Sequence, residues 1–324
     1  MLKSTLFMLL ISSLYLFAED IYPAYKFKSI GFVSDFVVAK GRLYSGSDEG
    51  VITIHDLKSR KLLEIITLEP FTTALGEIQS ARILSIDYHN EKLLIVSIGR
   101  GLYRDVWLYE KHQLKKIIDE SAKLMLKEAR FLDDEKILLA TFASEIMVHN
   151  LKENYTLYKR HVTQSTLGDI TLTEDKTKVI MCDESGEVRL IDTKSSKTLQ
   201  VLSSQNVDNL YHVAYANGVT VTAGQDRRVG VYKEGETPYH IKSDFLVYCV
   251  GITPSGKKAI YSSGQESHLQ LFDTQTKERL ARLIGHSGVV NQIKFINEDE
   301  LFSSEHGEYI YYWKLNKERK IESR

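Results

Sequence analysis

Short segments in which apolar and polar residues alternate recur throughout the chain, separated by turns that contain Gly, Ser or charged residues. The segments VITIHD, EVRLID and HLQLFD are examples. Alternation with a period of two is typical of strands that bury one face, whereas an amphipathic helix would show a period of about 3.6. The pattern therefore predicts an all-β protein.

One strand of this pattern, preceded by a polar turn, can be recognised in seven copies. The copies end at Asp56, Glu110, Asn150, Asp192, Lys233, Asp273 and Trp313. Five of the six intervals between these residues are 40–42 residues long, and further alternating segments surround each copy. Four short strands in about 40 residues form the repeat of a β-propeller blade. The sequence thus predicts a seven-bladed β-propeller of four-stranded antiparallel blades, in a single domain over residues 19–324.

A propeller ring must be closed, because an open ring exposes two sheet edges. Residues 25–31, YKFKSIG, alternate in the manner of a strand and precede the first inner strand. We expect this N-terminal segment to be the outer strand of the last blade. The alternative is that residues 19–31 are a leader outside the ring.

The last copy carries a Gly285-His286 pair at its start and Trp313 at its end. With these residues the segment 285–313 resembles a WD repeat. The other copies keep the same spacing but have different residues at the corresponding positions, such as His55-Asp56. The resemblance implies a WD-repeat-like propeller over almost the whole chain after the first twenty residues. Because the other copies lack the family's residues, we expect the His–Ser–Asp–Trp hydrogen-bond network of the family to be missing. A shared fold of this kind says almost nothing about function.

The N-terminus has the features of a secretory signal peptide. Lys3 is followed by an apolar run over residues 6–17 and by Ala18, before the acidic pair Glu19 and Asp20. A charged start, a short apolar run and a small residue at its exit predict export, with cleavage giving a 1–18 signal peptide. An uncleaved anchor is the alternative. No later run approaches 18 apolar residues, so we expect a periplasmic protein with no membrane span after cleavage.

The overall composition argues against several classes of function. The chain has 42 Lys and Arg against 43 Asp and Glu, a net charge of -1, which does not favour binding to nucleic acid. Two cysteines, Cys182 and Cys249, exclude Cys-rich zinc sites, and their separation by two repeats predicts two buried thiols without a disulfide. No catalytic motif is present, and the ten histidines lack metal-site spacing. We therefore predict no catalytic residues, no metal and no cofactor.

The loops between the second and third strands of the blades carry more charge than turns require. Candidate partner-binding residues in these loops are Arg100, Tyr103, Arg104, Gln225, Asp226, Arg227, Arg228 and His306. An insertion over residues 69–83 is expected on the same face, and long loops are often functional. Arg and Tyr on a rigid rim are common anchors for protein partners, and the Arg227-Arg228 pair is the strongest candidate. The alternative is a hydrophilic rim without a partner.

In size, signal peptide, divergent repeats and Lys/Ile-rich composition, the chain is similar to the NapL accessory proteins of epsilonproteobacterial periplasmic nitrate reductase systems. This resemblance implies a non-catalytic accessory or assembly factor whose partners are nitrate reductase subunits or maturation factors. Two other functions stay open at this point. One is a general envelope scaffold unrelated to nitrate, and the other is a propeller hydrolase, lactonase or quinoprotein with its site at the channel mouth.

Overall fold

The computed structural model describes residues 19–264 and 266–316, so the predicted signal peptide lies outside the described residues. Two short strands come first, β1 (Glu19–Ile21) and β2 (Tyr25–Lys28). Blade 1 contains β3 (Val33–Ala39), β4 (Arg42–Ser47), β5 (Val51–Asp56) and β6 (Leu62–Thr67), and a separate hairpin of β7 (Phe71–Thr72) and β8 (Ile78–Gln79) follows it. Blade 2 contains β9 (Ile83–His89), β10 (Lys92–Ile98), β11 (Arg104–Glu110) and β12 (Gln113–Ile118).

The remaining blades repeat the same four-stranded antiparallel plan. Blade 3 contains β13 (Leu126–Phe131), β14 (Lys136–Thr141), β15 (Glu145–Asn150) and β16 (Tyr155–His161). Blade 4 contains β17 (Leu167–Leu172), β18 (Lys178–Asp183), β19 (Val188–Asp192) and β20 (Thr198–Leu202), and blade 5 contains β21 (Leu210–Ala216), β22 (Val219–Gly224), β23 (Arg228–Lys233) and β24 (Tyr239–Lys242). Blade 6 contains β25 (Val250–Ile252), β26 (Lys258–Ser263), β27 (His268–Asp273) and β28 (Arg279–Leu283), and blade 7 contains β29 (Val290–Phe295), β30 (Glu300–Glu305) and β31 (Tyr309–Lys314). The predicted seven-bladed propeller is confirmed.

The hairpins between the first and second strands explain how the chain turns so tightly within each blade. In blade 5 the turn is Asn217-Gly218, and both residues have positive φ, 47° and 78°. This is the geometry of a type I′ turn, for which Asn-Gly is the preferred sequence because both residues tolerate the left-handed region. Two single 3-10 turns, at Arg100–Leu102 and Glu120–Ala122, are the other regular elements of the described residues.

The N-terminal segment closes the ring in the way the sequence predicted. Strand β2 pairs antiparallel with β31, from Tyr25 opposite Tyr312 to Lys28 opposite Tyr309, and so becomes the outer strand of blade 7. The buried Phe27 packs against His55 of blade 1 and Phe302 of blade 7, with ring centroids 5.5 Å and 6.1 Å away. Closure therefore combines backbone pairing with a side chain that joins two blades.

A second N-terminal strand was not predicted. Strand β1 pairs in parallel with β28, with Ile21 opposite Leu283, and makes blade 6 five-stranded. Asp20 accepts a hydrogen bond from Arg282 at 2.9 Å at the same edge. The leader alternative for residues 19–31 is thus wrong, since both strands belong to the sheets.

The apolar cores lie between neighbouring blades. One cluster joins Ile260 and Leu269 of blade 6 to Leu301 and Trp313 of blade 7. Cys182 and Cys249 are both fully buried and unbonded to each other, which confirms the prediction of two separate thiols. Burial raises the pKa of both thiols well above the usual range, which makes them poor nucleophiles.

Blade 7 contains a hydrogen-bond network that we did not expect. The Trp313 indole N–H donates to Ser303 Oγ at 2.7 Å, and this hydroxyl contacts His286 Nε2 at 2.7 Å. His286 Nδ1 lies 3.0 Å from a carboxylate oxygen of Glu305. The expectation that the network is missing is therefore wrong for this blade, where Glu305 supplies the carboxylate in place of an Asp. Among residues 19–264 and 266–316, no helix is long and apolar enough to cross a membrane.

Candidate protein-interaction face

Two kinds of loop meet at one end of the propeller. The loops between second and third strands lie beside the loops that lead from one blade to the next. Asp48, for example, accepts a hydrogen bond from the Phe32 N–H at 2.7 Å, and the Ser80 hydroxyl donates to Glu49 at 3.2 Å. We call this end the loop face. The opposite end carries the first-to-second-strand and third-to-fourth-strand turns, and we call it the hairpin face.

The structure places seven of the eight predicted rim residues at or near the surface of the loop face. Arg100, Gln225, Arg227 and His306 are exposed, and Tyr103 and Arg228 are half-buried. Asp226 lies in the same loop, but its side chain is only 6% exposed. They fall into three separate groups, in blades 2, 5 and 7, and do not form one continuous patch.

Arg104 was predicted on the rim, and this prediction is wrong. The residue begins strand β11 and is only 8% exposed, because the strand starts earlier than the loop pattern indicated. Its guanidinium donates to the Leu102 carbonyl and lies 5.6 Å from the centroid of the Phe142 ring. Burial lowers the pKa of Arg104. A side chain held in this way supports the loop and is not available to a partner.

Asp226 and Arg228 hold the rim of blade 5 in shape. The Asp226 carboxylate accepts hydrogen bonds from Asn206 Nδ2 at 3.0 Å, the Val207 N–H at 2.9 Å and the Arg228 N–H at 3.1 Å. The Arg228 Nε also lies 3.7 Å from Asp226 Oδ2. Arg227 stands at the tip of the turn with a φ of 62°, and its side chain forms no ion pair with any described residue. Of the arginine pair, Arg227 is therefore the one presented to solvent.

Three aromatic side chains that the sequence analysis did not single out lie beside this turn. The rings of Tyr211 and Tyr248 stack with centroids 5.5 Å apart, and Phe245 lies 6.4 Å from Tyr248. The Tyr211 hydroxyl donates to Gln225 Oε1 at 2.8 Å, and this bond ties the aromatic group to the rim. Aromatic residues next to an arginine are the composition typical of binding hot spots.

The insertion between blades 1 and 2 forms a small hairpin on the loop face, as its position in the chain predicted. Its two strands pair Phe71 with Gln79 and Thr72 with Ile78. Leu75 at the tip is 87% exposed and Ile78 is 77% exposed. Two large aliphatic side chains that lie so far in solvent bury nothing within the propeller.

Exposed apolar side chains are distributed unequally between the two ends of the ring. The loop face carries Ile30, Phe32, Leu75, Ile78, Leu102, Met125, Val207 and Val289. On the hairpin face, within the described part of the chain, Ile296 is the only exposed large apolar residue in a turn. Single exposed apolar residues are normal, and contiguous apolar patches are the feature typical of interaction sites, so the loop face is the better candidate of the two ends. The sequence patterns did not reveal this asymmetry, because it depends on which loops share a face.

The central channel is lined by the inner strands and holds a ring of polar side chains. In six of the inner strands, the register of the pairing with the second strand shifts near the second residue. The third residue of each of these strands is polar, namely Asp35, Ser85, Glu128, Asp169, His212 and Gln292. Several of these side chains bind the backbone of the next blade. The Ile86 N–H donates to Asp35 at 2.8 Å and the Val213 N–H donates to Asp169 at 2.9 Å.

Charged groups in the channel are paired with one another. Arg130 donates to Glu128 at 2.6 Å and to the Ser85 hydroxyl at 2.7 Å. Burial raises the pKa of Glu128, and the neighbouring Asp169 carboxylate raises it further, although Arg130 opposes both effects. Burial likewise raises the pKa of Asp169. Both shifts favour the protonated, uncharged forms of the two carboxyl groups.

His212 lies among these charged groups in the channel. Burial lowers the pKa of His212 to about 4, so its imidazole is neutral, and its Nδ1 has no hydrogen-bond partner among the described residues. Within residues 19–264 and 266–316, no three His, Cys, Asp or Glu side chains converge as metal ligands. The channel carboxylates accept hydrogen bonds from backbone amides and from Arg130, and the bonds from the amides link neighbouring inner strands.

Comparison with known proteins supports the fold. No protein-family model and no curated protein matches the chain. The chain is similar to the crystal structure of the β-propeller domain of Cps50 (Swd1) from Myceliophteria thermophila, with a TM-score of 0.72. The alignment covers 91% of this chain and 99% of that domain, at 12% sequence identity. The chain is thus a divergent WD-repeat-like seven-bladed propeller, and these comparisons give no support to a NapL identity.

Proposed function

We propose that this propeller is a non-catalytic interaction protein that binds a protein partner on its loop face. The observation that carries the proposal is the concentration of exposed apolar side chains on that face. Apolar surface at the centre of an interface supplies most of the binding energy, while aromatic and Arg side chains act as anchors. The turn around Arg227, with Tyr211, Tyr248 and Phe245 beside it and the exposed Val207 nearby, has this composition.

The non-catalytic part of the proposal rests on how the channel uses its acids. A general acid or base must reach a substrate, but Asp35 and Asp169 bind the backbone of neighbouring blades and Glu128 binds Arg130. These bonds hold the inner strands together. We therefore favour partner binding over a hydrolase or quinoprotein activity in the channel.

For the partner, we propose a subunit of periplasmic nitrate reductase or one of its maturation factors, with the chain acting as an exported accessory factor. The support is the signal-peptide pattern of residues 1–18 and the overall similarity to NapL accessory proteins described above. A general envelope scaffold is the competing function. It would share the binding face but would bind proteins unrelated to nitrate reduction.

The experiment is affinity capture from periplasmic extract, combined with an assay of nitrate reductase activity in cells lacking this protein. The variants Val207→Asp and Arg227→Glu place charge on the loop face, and Ile296→Asp is the matched control on the hairpin face. Loss of an interfacial anchor costs about 2 kcal/mol, so each loop-face variant should weaken capture roughly thirtyfold without a change in melting temperature. Equal capture by all variants would contradict the loop face, and capture without reductase components would favour the scaffold.

A further inference from the structure

The outer edge of blade 1 is unusually apolar. Strand β6, with the sequence LLEIIT, pairs with β5 and with no other strand of the described residues. Leu62, Leu63 and Ile65 are each about half exposed along this edge. Glu64 is its only charged residue, and its carboxylate points to blade 2, where it contacts Tyr109 and His112. An exposed apolar edge strand offers free backbone N–H and C=O groups to another strand.

Most other edges of the propeller are protected against such pairing. Lysine or arginine side chains occupy the outer strands of blades 2, 3, 5 and 7, namely Lys115, Lys116, Lys159, Arg160, Lys242, Lys26 and Lys28. The edge of blade 6 is covered by β1, which shows that an outer strand of this protein can accept a fifth strand. Strand β20 of blade 4, TLQVL, is a second apolar edge among the described strands, and it has no charged residue.

The residues that flank β6 distinguish it from β20. Lys61 precedes the strand and Glu69 follows it, so the two ends carry opposite charges, and both side chains are exposed. Strand β20 also has a lysine before it, Lys197, but serines after it. Two copies of a strand related by a twofold axis pair antiparallel, which brings the start of one copy to the end of the other. Only β6 is complementary to its own copy in charge.

One register pairs the opposite charges that flank the strand. With Ile65 on the twofold axis, opposite Ile65 of the second copy, Leu63 lies opposite Thr67 and Lys61 lies opposite Glu69. No like charges face each other, whereas the register centred on Glu64 would oppose two carboxylates, which is unfavourable. We propose that β6 is a self-association edge at which two copies of this chain join blade 1 to blade 1 in a continuous antiparallel sheet. The pairing is confined to one edge strand, so we expect a weak dimer that dissociates on dilution.

Engineered cysteines test the register directly, because Cys182 and Cys249 are buried and do not interfere. Residues directly opposite in an antiparallel pair have Cα atoms about 4.5–5.5 Å apart, within the range of a disulfide. In the full chain, Ile65→Cys should therefore give a disulfide-linked dimer under mild oxidation. Leu63→Cys is the matched control, since the two copies of residue 63 are offset by four residues, or about 13 Å along the strand. Equal cross-linking of both variants would overturn the proposal.

Sedimentation velocity of the reduced full chain tests the association without cross-linking. The wild type should sediment as a dimer that dissociates on dilution, and Ile65→Lys should be monomeric, while Leu199→Lys in the edge of blade 4 should leave the dimer intact. Lys61→Glu should weaken the dimer several-fold by facing Glu69, and the double change Lys61→Glu with Glu69→Lys should restore it. A wild-type chain that remains monomeric up to its solubility limit would overturn the proposal.

Discussion

At the scale of single residues, one carboxylate organises the junction between blades 6 and 7. Glu305 accepts hydrogen bonds from the Ser287 and Gly288 N–H groups at 2.7 Å and 2.9 Å, and from the Tyr311 hydroxyl at 2.8 Å. Burial alone would raise its pKa, but the bonds from His286 and these donors hold the pKa of Glu305 well below its usual range. Burial lowers the pKa of His286, so its imidazole is neutral. The Nδ1–H group of this imidazole donates a hydrogen bond to the Glu305 carboxylate.

The first prediction is that Glu305→Gln destabilises the fold and changes its response to acid. The loss of a buried charge that accepts several bonds should cost about 2–3 kcal/mol in the free energy of unfolding. Because the folded pKa is depressed, the wild type gains stability from this group above the unfolded pKa of about 4.3 and loses it as the pH falls below that value. Urea unfolding at pH 7 and below pH 4.5 should show a difference between the two proteins that shrinks at low pH.

Glu184→Gln is the control for this measurement, because Glu184 is an exposed acid in the corresponding region of blade 4. Its unfolding free energy should stay within about 0.5 kcal/mol of the wild type at both pH values. If Glu305→Gln behaves like this control, the carboxylate is not the centre of the network.

At the scale of elements, the alternation of apolar and polar residues was enough to predict the blades. It was not enough to predict every outer strand or the residue at which a strand begins. The segment that contains β2 could be identified because four residues, from Tyr25 to Lys28, already show alternation and one buried side chain. Strand β1 has only three residues, too few to show a period, and it is defined by its pairing with β28. Arg104 was misplaced for a similar reason, since the first residue of a strand is not marked in the pattern.

The interaction face and the channel were predictable to different degrees. The loops that carry Arg227 and His306 follow from the repeat, but the apolar residues beside them come from loops far apart in sequence. The channel ring could have been found, because Asp35 and Asp169 each follow an apolar residue by two positions and precede another. The hydrogen bonds from this ring to neighbouring blades could not be predicted, because they depend on the three-dimensional arrangement of the strands.

The second prediction concerns ring closure by β2. Phe27 fills the space between blades 1 and 7, so Phe27→Ala should leave a cavity and cost about 3–5 kcal/mol in the free energy of unfolding. Exposure of the β31 edge by local detachment of β2 should also promote aggregation on heating. Thermal unfolding with light scattering is the measurement, with Tyr22→Ala as the control because Tyr22 is largely exposed. Equal melting temperatures for Phe27→Ala and Tyr22→Ala would show that the ring closes without this strand.

At the scale of the whole molecule, the seven inner strands meet around one polar channel, and its charges must balance. Asp35, Glu128 and Asp169 face Lys127, Arg130 and Lys294 across the channel lining, and Asp87 lies close enough to bind the Phe131 N–H at 2.7 Å. Four carboxyl groups against three cations leave one excess negative charge. Burial and the Asp169 carboxylate raise the pKa of Glu128, and a proton on Glu128 removes that excess.

The last prediction follows from that proton. A carboxyl whose pKa is raised by folding keeps a proton that the unfolded chain has released, so stability falls as pH rises between the two pKa values. Glu128→Gln reproduces the protonated form, since its amide oxygen can accept from Arg130 and its NH₂ can donate to Asp169. From pH 6 to 8 the wild type should lose up to about 1.4 kcal/mol per pH unit relative to this variant. Urea unfolding across that range is the measurement, and Glu184→Gln should keep the wild-type slope. Parallel pH profiles for the wild type and Glu128→Gln would mean that the channel carries its excess charge, and that other bonds between the inner strands hold the ring together.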